Sequence, residues 1–243
     1  MCGIGGAYIN HITTDFIDQL LQLMEKTGQR GQDGFGITKI GPEGRSTSLK
    51  FPGPFNRQRV TEFLLHVKKN SIILWCNRAQ PLTEPPSVDE RSIQPVEVEE
   101  LIGVHNGVVA NELELLQYVG MRTSVIDSEI PLHLIKRFGL QRAFSMCTGG
   151  YAYAYADSQN GDLVLLRNFK TLAIGSVGNN LLFASEQSFL EEVFGYTYIP
   201  HKLPPYHYAK YRLGRLIESG VVSFKTDSYL PEQDPNRVLV CAS

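Results

Sequence analysis

A thiol stands at position 2, directly after Met1 and ahead of Gly3 and Ile4. Cysteine is small enough at that position for ordinary methionine removal, which would leave the thiol and a free α-amine on one residue. An α-amine has a pKa of roughly 8, so near neutral pH a useful fraction can accept the thiol proton, directly or through one water. Such a nucleophile carries its own base and needs no catalytic histidine. Gly3 lets the backbone come close to a substrate. Taken by itself, Cys2 also fits a small apolar residue entering a strand.

Three further stretches change that balance. Gln29-Arg30-Gly31-Gln32-Asp33-Gly34-Phe35-Gly36 packs glycines, an Arg and an Asp between an expected helix and strand. Val104-His105-Asn106-Gly107-Val108 ends a buried strand in Asn-Gly, which in isolation reads as a turn. Thr123-Ser124-Val125-Ile126-Asp127-Ser128-Glu129 places Asp127 just before a helix, where it could equally be a helix cap. Later come Gly149-Gly150-Tyr151-Ala152 and Phe183-Ala184-Ser185-Glu186.

In this order and spacing, over roughly residues 2–225, these motifs resemble the class II glutamine amidotransferase domain of the N-terminal nucleophile (Ntn) hydrolase superfamily. That domain occurs in glutamine phosphoribosylpyrophosphate amidotransferase, glucosamine-6-phosphate synthase, glutamate synthase and asparagine synthetase. The resemblance implies that Cys2 attacks the side-chain amide of L-glutamine, its amine carrying the proton to departing ammonia. It assigns the oxyanion hole to the Asn106 side chain and the Gly107 N–H, two donors worth about 3 kcal/mol or more at a developing oxyanion. Arg78 matches the family's carboxylate-binding Arg, and a guanidinium grips a carboxylate bidentately where lysine cannot. Without the family it would read as a solvated strand end. Asp127 matches the acid that binds the substrate ammonium, with Ser128 capping the helix behind it. Arg30, Gly31 and Asp33 are expected to support the nucleophile's loop. His105 is expected in the core or behind the site, and Asn111 as the cap of the next helix. No metal or cofactor is implied.

One run departs from the pattern. The family shows a His two residues before the carboxylate-binding Arg, and a bulky residue then Ser/Ala-Thr after it. Here the run is Cys76-Asn77-Arg78-Ala79-Gln80-Pro81. The change bears on substrate range and makes a hydrolase of another γ-glutamyl amide the rival enzyme reading. An inactive regulatory or structural copy is the rival of another class, against which stands the retention of Cys2, Arg78, Asn106 and Asp127.

These residues need a scaffold, and the chain is long enough to build one. Its 243 residues are 42% hydrophobic and 20% charged, which fits one α+β domain spanning 1–243. A formal charge of −2 with interspersed signs offers no polyanion footprint, so nucleic acid is not an expected partner. No run reaches the roughly 20 apolar residues of a membrane span. The four cysteines include no CxxC pair and no signal peptide precedes them, so a cytoplasmic location with reduced thiols is expected.

Periodicity predicts strands at 3–9, 72–75, 101–105, 151–156, 163–167, 172–175 and 181–184, with a last one at 221–225. Helices are expected at 15–26 (capped by Thr14 or Asp15, stopped by Gly28), 57–69, 112–118, 128–137 and 140–147. Ser185 is expected to cap another running to 193. The Gly- and Pro-rich stretches 41–56 and 81–95 read as loops. The pattern allows, and the resemblance implies, a four-layer αββα sandwich: two antiparallel sheets between helical layers.

The chain has no P-loop, no Ser-Gly-Gly-x-Asp loop and no Rossmann fingerprint, and it ends within about 20 residues of the expected last strand. Because free ammonia is lost to solvent, a separate ammonia-accepting synthase subunit is the expected partner. It could dock on 81–95 or 229–243. Aspartate, a sugar phosphate, a phosphoribosyl group or a modified-nucleobase carboxylate would all serve as acceptor.

Overall fold

The computed structural model describes residues 1–80 and 89–225. Its strands, in chain order, are β1 Gly3–Ile9, β2 Gly34–Ile40, β3 Ser46–Pro52, β4 Ser71–Arg78, β5 Val96–Val98, β6 Leu101–Val109 and β7 Gly149–Asp157. They continue with β8 Asp162–Arg167, β9 Ala173–Val177, β10 Asn180–Ala184, β11 Tyr198–His201, β12 His207–Arg212 and β13 Arg215–Val221. The helices are α1 Thr14–Thr27, α2 Arg57–Leu64, α3 Glu112–Leu115, α4 Ile130–Phe138, α5 Leu140–Met146 and α6 Gln187–Phe194.

Two antiparallel sheets result, ordered β11-β9-β10-β1-β4-β2-β3 and β13-β12-β8-β7-β6-β5. Three apolar clusters define the layers. Ile4, Tyr8, Leu74 and Cys76 of the first sheet meet Ile102, Val104, Ala152 and Ala154 of the second, forming the central core. The opposite face of the first sheet (Ala7, Ile9, Trp75) packs on α1, α2 and α6. The outer face of the second packs on α4 and α5 through Leu132, Leu134 and Phe144. Helix, sheet, sheet, helix is the αββα order expected. β7 shows the pleat at work: its Ala residues face the other sheet, and Tyr151, Tyr153 and Tyr155 face the helices.

β1 and β4 lie at the centre, buried on both faces throughout. That is why β4 extends to Arg78, past the apolar run that predicts it. β1 pairs with β4 in the register Gly3↔Asn77, Ile4↔Cys76. Beneath them, α1 buries Phe16, Leu20, Leu23 and Met24, each worth about 1.5–3 kcal/mol. Thr13, rather than Thr14 or Asp15, caps it, accepting from the Phe16 N–H at 3.1 Å.

Other expectations need correction. The stretch 41–56 contains β3, an edge strand that buries little beyond Phe51 and so lacks an apolar signature. α2 stops at Leu64. Ser185 does not cap α6; its hydroxyl accepts from the Ile4 N–H at 2.9 Å and fastens β1. The last strand is β13, ending at Val221. It is almost wholly exposed, so its pattern carries no burial signal. β5, β11 and β12 also went unread. Asn111 makes no capping bond to α3; its oxygen accepts from Thr148 N and its Nδ2 donates to Met146 O, both at 2.9 Å. Of the two expected docking segments, residues 81–88 and 229–243 lie outside the described residues.

Candidate active site

Cys2 sits half-buried at the entry of β1, and its backbone is held from two sides. Arg30 Nε donates to the Cys2 carbonyl at 3.2 Å. With the Asn106 amide oriented to suit its neighbours, its nitrogen donates to the same carbonyl at 3.2 Å and its oxygen accepts from Arg30 Nη2 at 3.3 Å. Arg30 follows α1 in a 3₁₀ turn, Gly28–Arg30, and is ion-paired with Glu186 just ahead of α6. The end of α1, the start of β1, the late part of β6 and the approach to α6 thus converge on one residue.

The Cys2 sulfur lies 3.8 Å from the Ala79 carbonyl oxygen. The neighbouring Cys76 thiol draws the Cys2 thiol down to about 6, overcoming the opposing effect of burial; the Ala79 backbone and the positive charges of Arg78 and the N-terminus assist. Cys76 moves the other way, pushed well above the usual thiol range by the neighbouring Cys2 thiol and by burial. Burial carries Cys147 up to about 12. Cys2, Cys76 and Cys147 are free thiols. Cys2 is the low one.

Arg78 ends β4, buried and paired in register with Gly34. The Gly3↔Asn77 pairing brings Cys2 alongside it at the next register position. Two neighbours clamp the backbone after it. The Asp33 N–H donates to the Arg78 carbonyl at 2.9 Å, and the Asp33 carboxylate accepts from the Gln80 N–H at 2.7 Å. Gly31 packs so tightly that a Cβ there would lie 2.4 Å from the Arg78 carbonyl carbon. Of the three expected supports, Arg30 holds Cys2 itself, while Gly31 and Asp33 hold the 78–80 segment.

Asn106 and Gly107 continue β6 rather than turning. Gly107 faces the neighbouring strand, where a Cβ would meet the Gly150 carbonyl oxygen at 1.7 Å. The Asp127 carboxylate accepts from the Val109 N–H at 2.6 Å and lies 3.3 Å from the Ser128 hydroxyl. Ser128 is no helix cap: it sits inside a 3₁₀ turn, Asp127–Glu129, 3.2 Å from His105 Nδ1. His105 Nε2 faces the Gly150 carbonyl at 3.0 Å, so it carries the proton and Nδ1 accepts. Burial lowers the His105 pKa, which keeps the ring neutral at the back of the site, stacked on Tyr151. Cys2, Arg30 and Asn106 therefore touch, Arg78 flanks them, and Asp127 is anchored further along β6.

Two acids escaped the sequence reading. Glu186 anchors Arg30, and the Phe-Ala-Ser-Glu stretch was the available signal. Glu129 is fully buried, accepting from Ser124 N at 2.6 Å, Thr123 N at 2.9 Å and His133 at 3.2 Å, so it ties down the loop that carries Asp127. Its signal was its place two residues after Asp127. Among the described residues, no group of three or more His, Cys, Asp or Glu is placed to hold a metal.

Facing antiparallel sheets between helical layers, with Cys2 at the entry of a central strand, define the Ntn-hydrolase architecture. Residues 77–192 match the family described as a glutamine amidotransferase domain. The chain carries a glutamine amidotransferase domain of class II. It is 27% identical to 7-cyano-7-deazaguanine synthase of Sulfolobus acidocaldarius and 30% identical to that of Saccharolobus solfataricus. Each match covers 100% of this chain and 54% of the relative. Over 81% of its length it is 30% identical to the glutamine–fructose-6-phosphate aminotransferase of Streptococcus pneumoniae, covering 34% of that protein. The fold superposes on glutamine phosphoribosylpyrophosphate amidotransferase of B. subtilis with a TM-score of 0.70 at 23% identity, over 91% of this chain and 49% of that one. The chain thus spans about half the length of the curated relatives first named.

Proposed function

We propose that residues 1–243 form one glutaminase domain, which hydrolyses L-glutamine to glutamate and ammonia through Cys2 and passes the ammonia to a synthase. The observation that carries this reading is the low thiol of Cys2 on a carbonyl held jointly by Arg30 and Asn106. With Met1 removed, thiolate and α-ammonium would coexist on Cys2 near neutral pH. The thiolate attacks the amide carbon, the α-ammonium gives its proton to the departing nitrogen as the C–N bond breaks, and a thioester remains. Water then adds with the amine as base, and the thiolate leaves with glutamate formed. An Asn amide has two N–H donors; one holds the Cys2 carbonyl and leaves the other, with the Gly107 N–H, for the oxyanion. Arg78 takes the substrate carboxylate and Asp127 its ammonium.

Relatives named 7-cyano-7-deazaguanine synthase suggest the destination, a synthase that uses ammonia nitrogen for a nitrile on a deazapurine. Among the described residues no helix is long and apolar enough to cross a membrane. Free thiols suit the reducing cytoplasm we propose as its location. Steady-state ammonia release from L-glutamine, with Cys2→Ala as control, tests the reading. Preferential hydrolysis of another γ-glutamyl amide, with glutamine inert, would replace it.

A further inference from the structure

The end of the sandwich that holds Cys2 also holds a cavity that amide hydrolysis does not use. In the second sheet Asn106 pairs with Ala152 and Ala152 with Arg167, so the three stand in one row across β6, β7 and β8. Leu163 and Leu165 belong to the central core, and side chains alternate along a strand, so Arg167 faces the first sheet as they do. With strands about 4.8 Å apart, its Cα stands roughly 10 Å from that of Asn106. Arg167 lines a cavity of about 680 Å³. Leu172, Ile174 and Leu203 give that cavity an apolar lining, and Lys202 and Glu186 join Arg167 as its charged groups.

Glu186 is already committed. Its carboxylate accepts from Arg30 and, at 3.1 Å, from the Thr171 hydroxyl. Arg167 is not. Its Nε donates to the Asn168 carbonyl at 3.3 Å, and among the described residues no carboxylate pairs with its guanidinium. Lys202 is exposed and has no carboxylate partner among them either. His201 shares a ring nitrogen with the Ser176 hydroxyl at 3.2 Å, and burial lowers its pKa, so it adds no charge near neutral pH. Two positive charges are thus left uncompensated beside an apolar lining. Burial disfavours the charged form of Arg167 and lowers its pKa, a cost that an arriving oxyanion would offset.

We infer that this cavity is a second binding site, for a small molecule that carries an oxyanion, phosphate or carboxylate, on an apolar body. A guanidinium meets the paired oxygens of either group with two parallel N–H donors, and Lys202 adds a point charge. The volume lies within the range of about 300–1,000 Å³ usual for small-molecule sites. The site stands apart from glutamine hydrolysis, in which the substrate carboxylate falls to Arg78.

Isothermal titration of the 243-residue chain with phenyl phosphate and with benzoate, at constant ionic strength, tests the site. Each probe joins one oxyanion to an apolar ring. Saturable binding at one site is expected, and the tighter probe identifies the anion as phosphate or carboxylate. Arg167→Met keeps the apolar stem, removes the fork and should weaken binding by about tenfold or more. Arg167→Lys should recover little, and Lys202→Met should weaken binding about threefold. Blocking the glutamine site by alkylating Cys2 with a diazo-ketone glutamine mimic should leave the affinity unchanged. Absence of saturable binding by either probe overturns the inference, and so does wild-type affinity in Arg167→Met. Loss of binding on alkylation also overturns it, since the probe would then sit at Arg78. Should Arg167→Met fail to fold, the exposed Lys202 decides, and wild-type affinity in Lys202→Met counts against the site. No outcome depends on ammonia release, so the glutaminase reading stands or falls separately.

Discussion

Cys76 and Cys147 are as cysteine-like as Cys2, yet the Cys2 thiol and burial drive Cys76 up and burial drives Cys147 up, while Cys2 falls. A diazo-ketone glutamine mimic should therefore label Cys2 and spare both. Cys241, also expected to be spared, lies outside the described residues. Peptide mapping decides it; labelling centred on Cys76 would reverse the assignment. The zwitterion clamp makes a second demand. Arg78 is buried, and a substrate carboxylate there would be partly desolvated, so Arg78→Ala or Asp127→Ala should cost roughly 2–4 kcal/mol, or about 30- to 1,000-fold in kcat/KM. Arg78→Lys should recover little, since a point charge cannot replace the fork. Asn106→Ala should act mainly on kcat, and it should also free the Cys2 carbonyl that Asn106 holds. Wild-type KM for glutamine in both Arg78→Ala and Asp127→Ala would count against the clamp.

At the scale of elements, the site is a set of joints, and two of them can be tested. Gly31 bears directly on the Arg78–Ala79 backbone, where an added methyl would lie 2.5 Å from the Ala79 nitrogen. Gly31→Ala should destabilise by about 1–3 kcal/mol, seen as a lowered Tm, and should raise KM for glutamine by displacing Arg78. Glu129 joins its loop differently. Burial would raise its carboxyl pKa, but hydrogen bonds from Ser124, Thr123 and His133 hold it below the usual value. Its folded pKa is depressed, so the stability it adds is complete above the unfolded carboxylate pKa, about 4.3, and is lost as pH falls through the lower folded value. The Tm gap between wild type and Glu129→Gln should therefore shrink on acidification below about 4.3; a gap that widens there would contradict the assignment. These joints explain what the sequence disclosed. Cys2-Gly3-Ile4, Asn106-Gly107 and Asp127 stand in contiguous motifs and could be read directly. Glu186, which meets Arg30 across 156 positions, and Cys76, which meets Cys2 only through the β1–β4 register, became meaningful once the sheet was assembled. Edge strands such as β3 and β13 stayed hidden because they bury almost no apolar face from which an alternation could be read.

For the molecule as a whole, the question is where the nitrogen goes. The chain covers 54% of relatives named as synthases. If ammonia is handed to a synthase without release, its source should be insulated from the medium. Free ammonia is mostly protonated near neutral pH, and an ammonium ion is a poor nucleophile, so any that escapes is both diluted and deactivated. The two routes give opposite isotope patterns. With glutamine labelled by ¹⁵N in the side-chain amide, excess unlabelled ammonium in the buffer, and a synthase supplied with its own acceptor substrate, direct transfer should leave most of the product nitrogen labelled. Cys2→Ala should abolish the labelled product while still allowing unlabelled product from ammonium, because the synthase chemistry does not depend on this thiol. Product labelled only in proportion to the bulk ammonium would mean that the two activities are not physically coupled. The chain would then be a glutaminase acting by itself, and the handover would have to be given up while the hydrolysis stood.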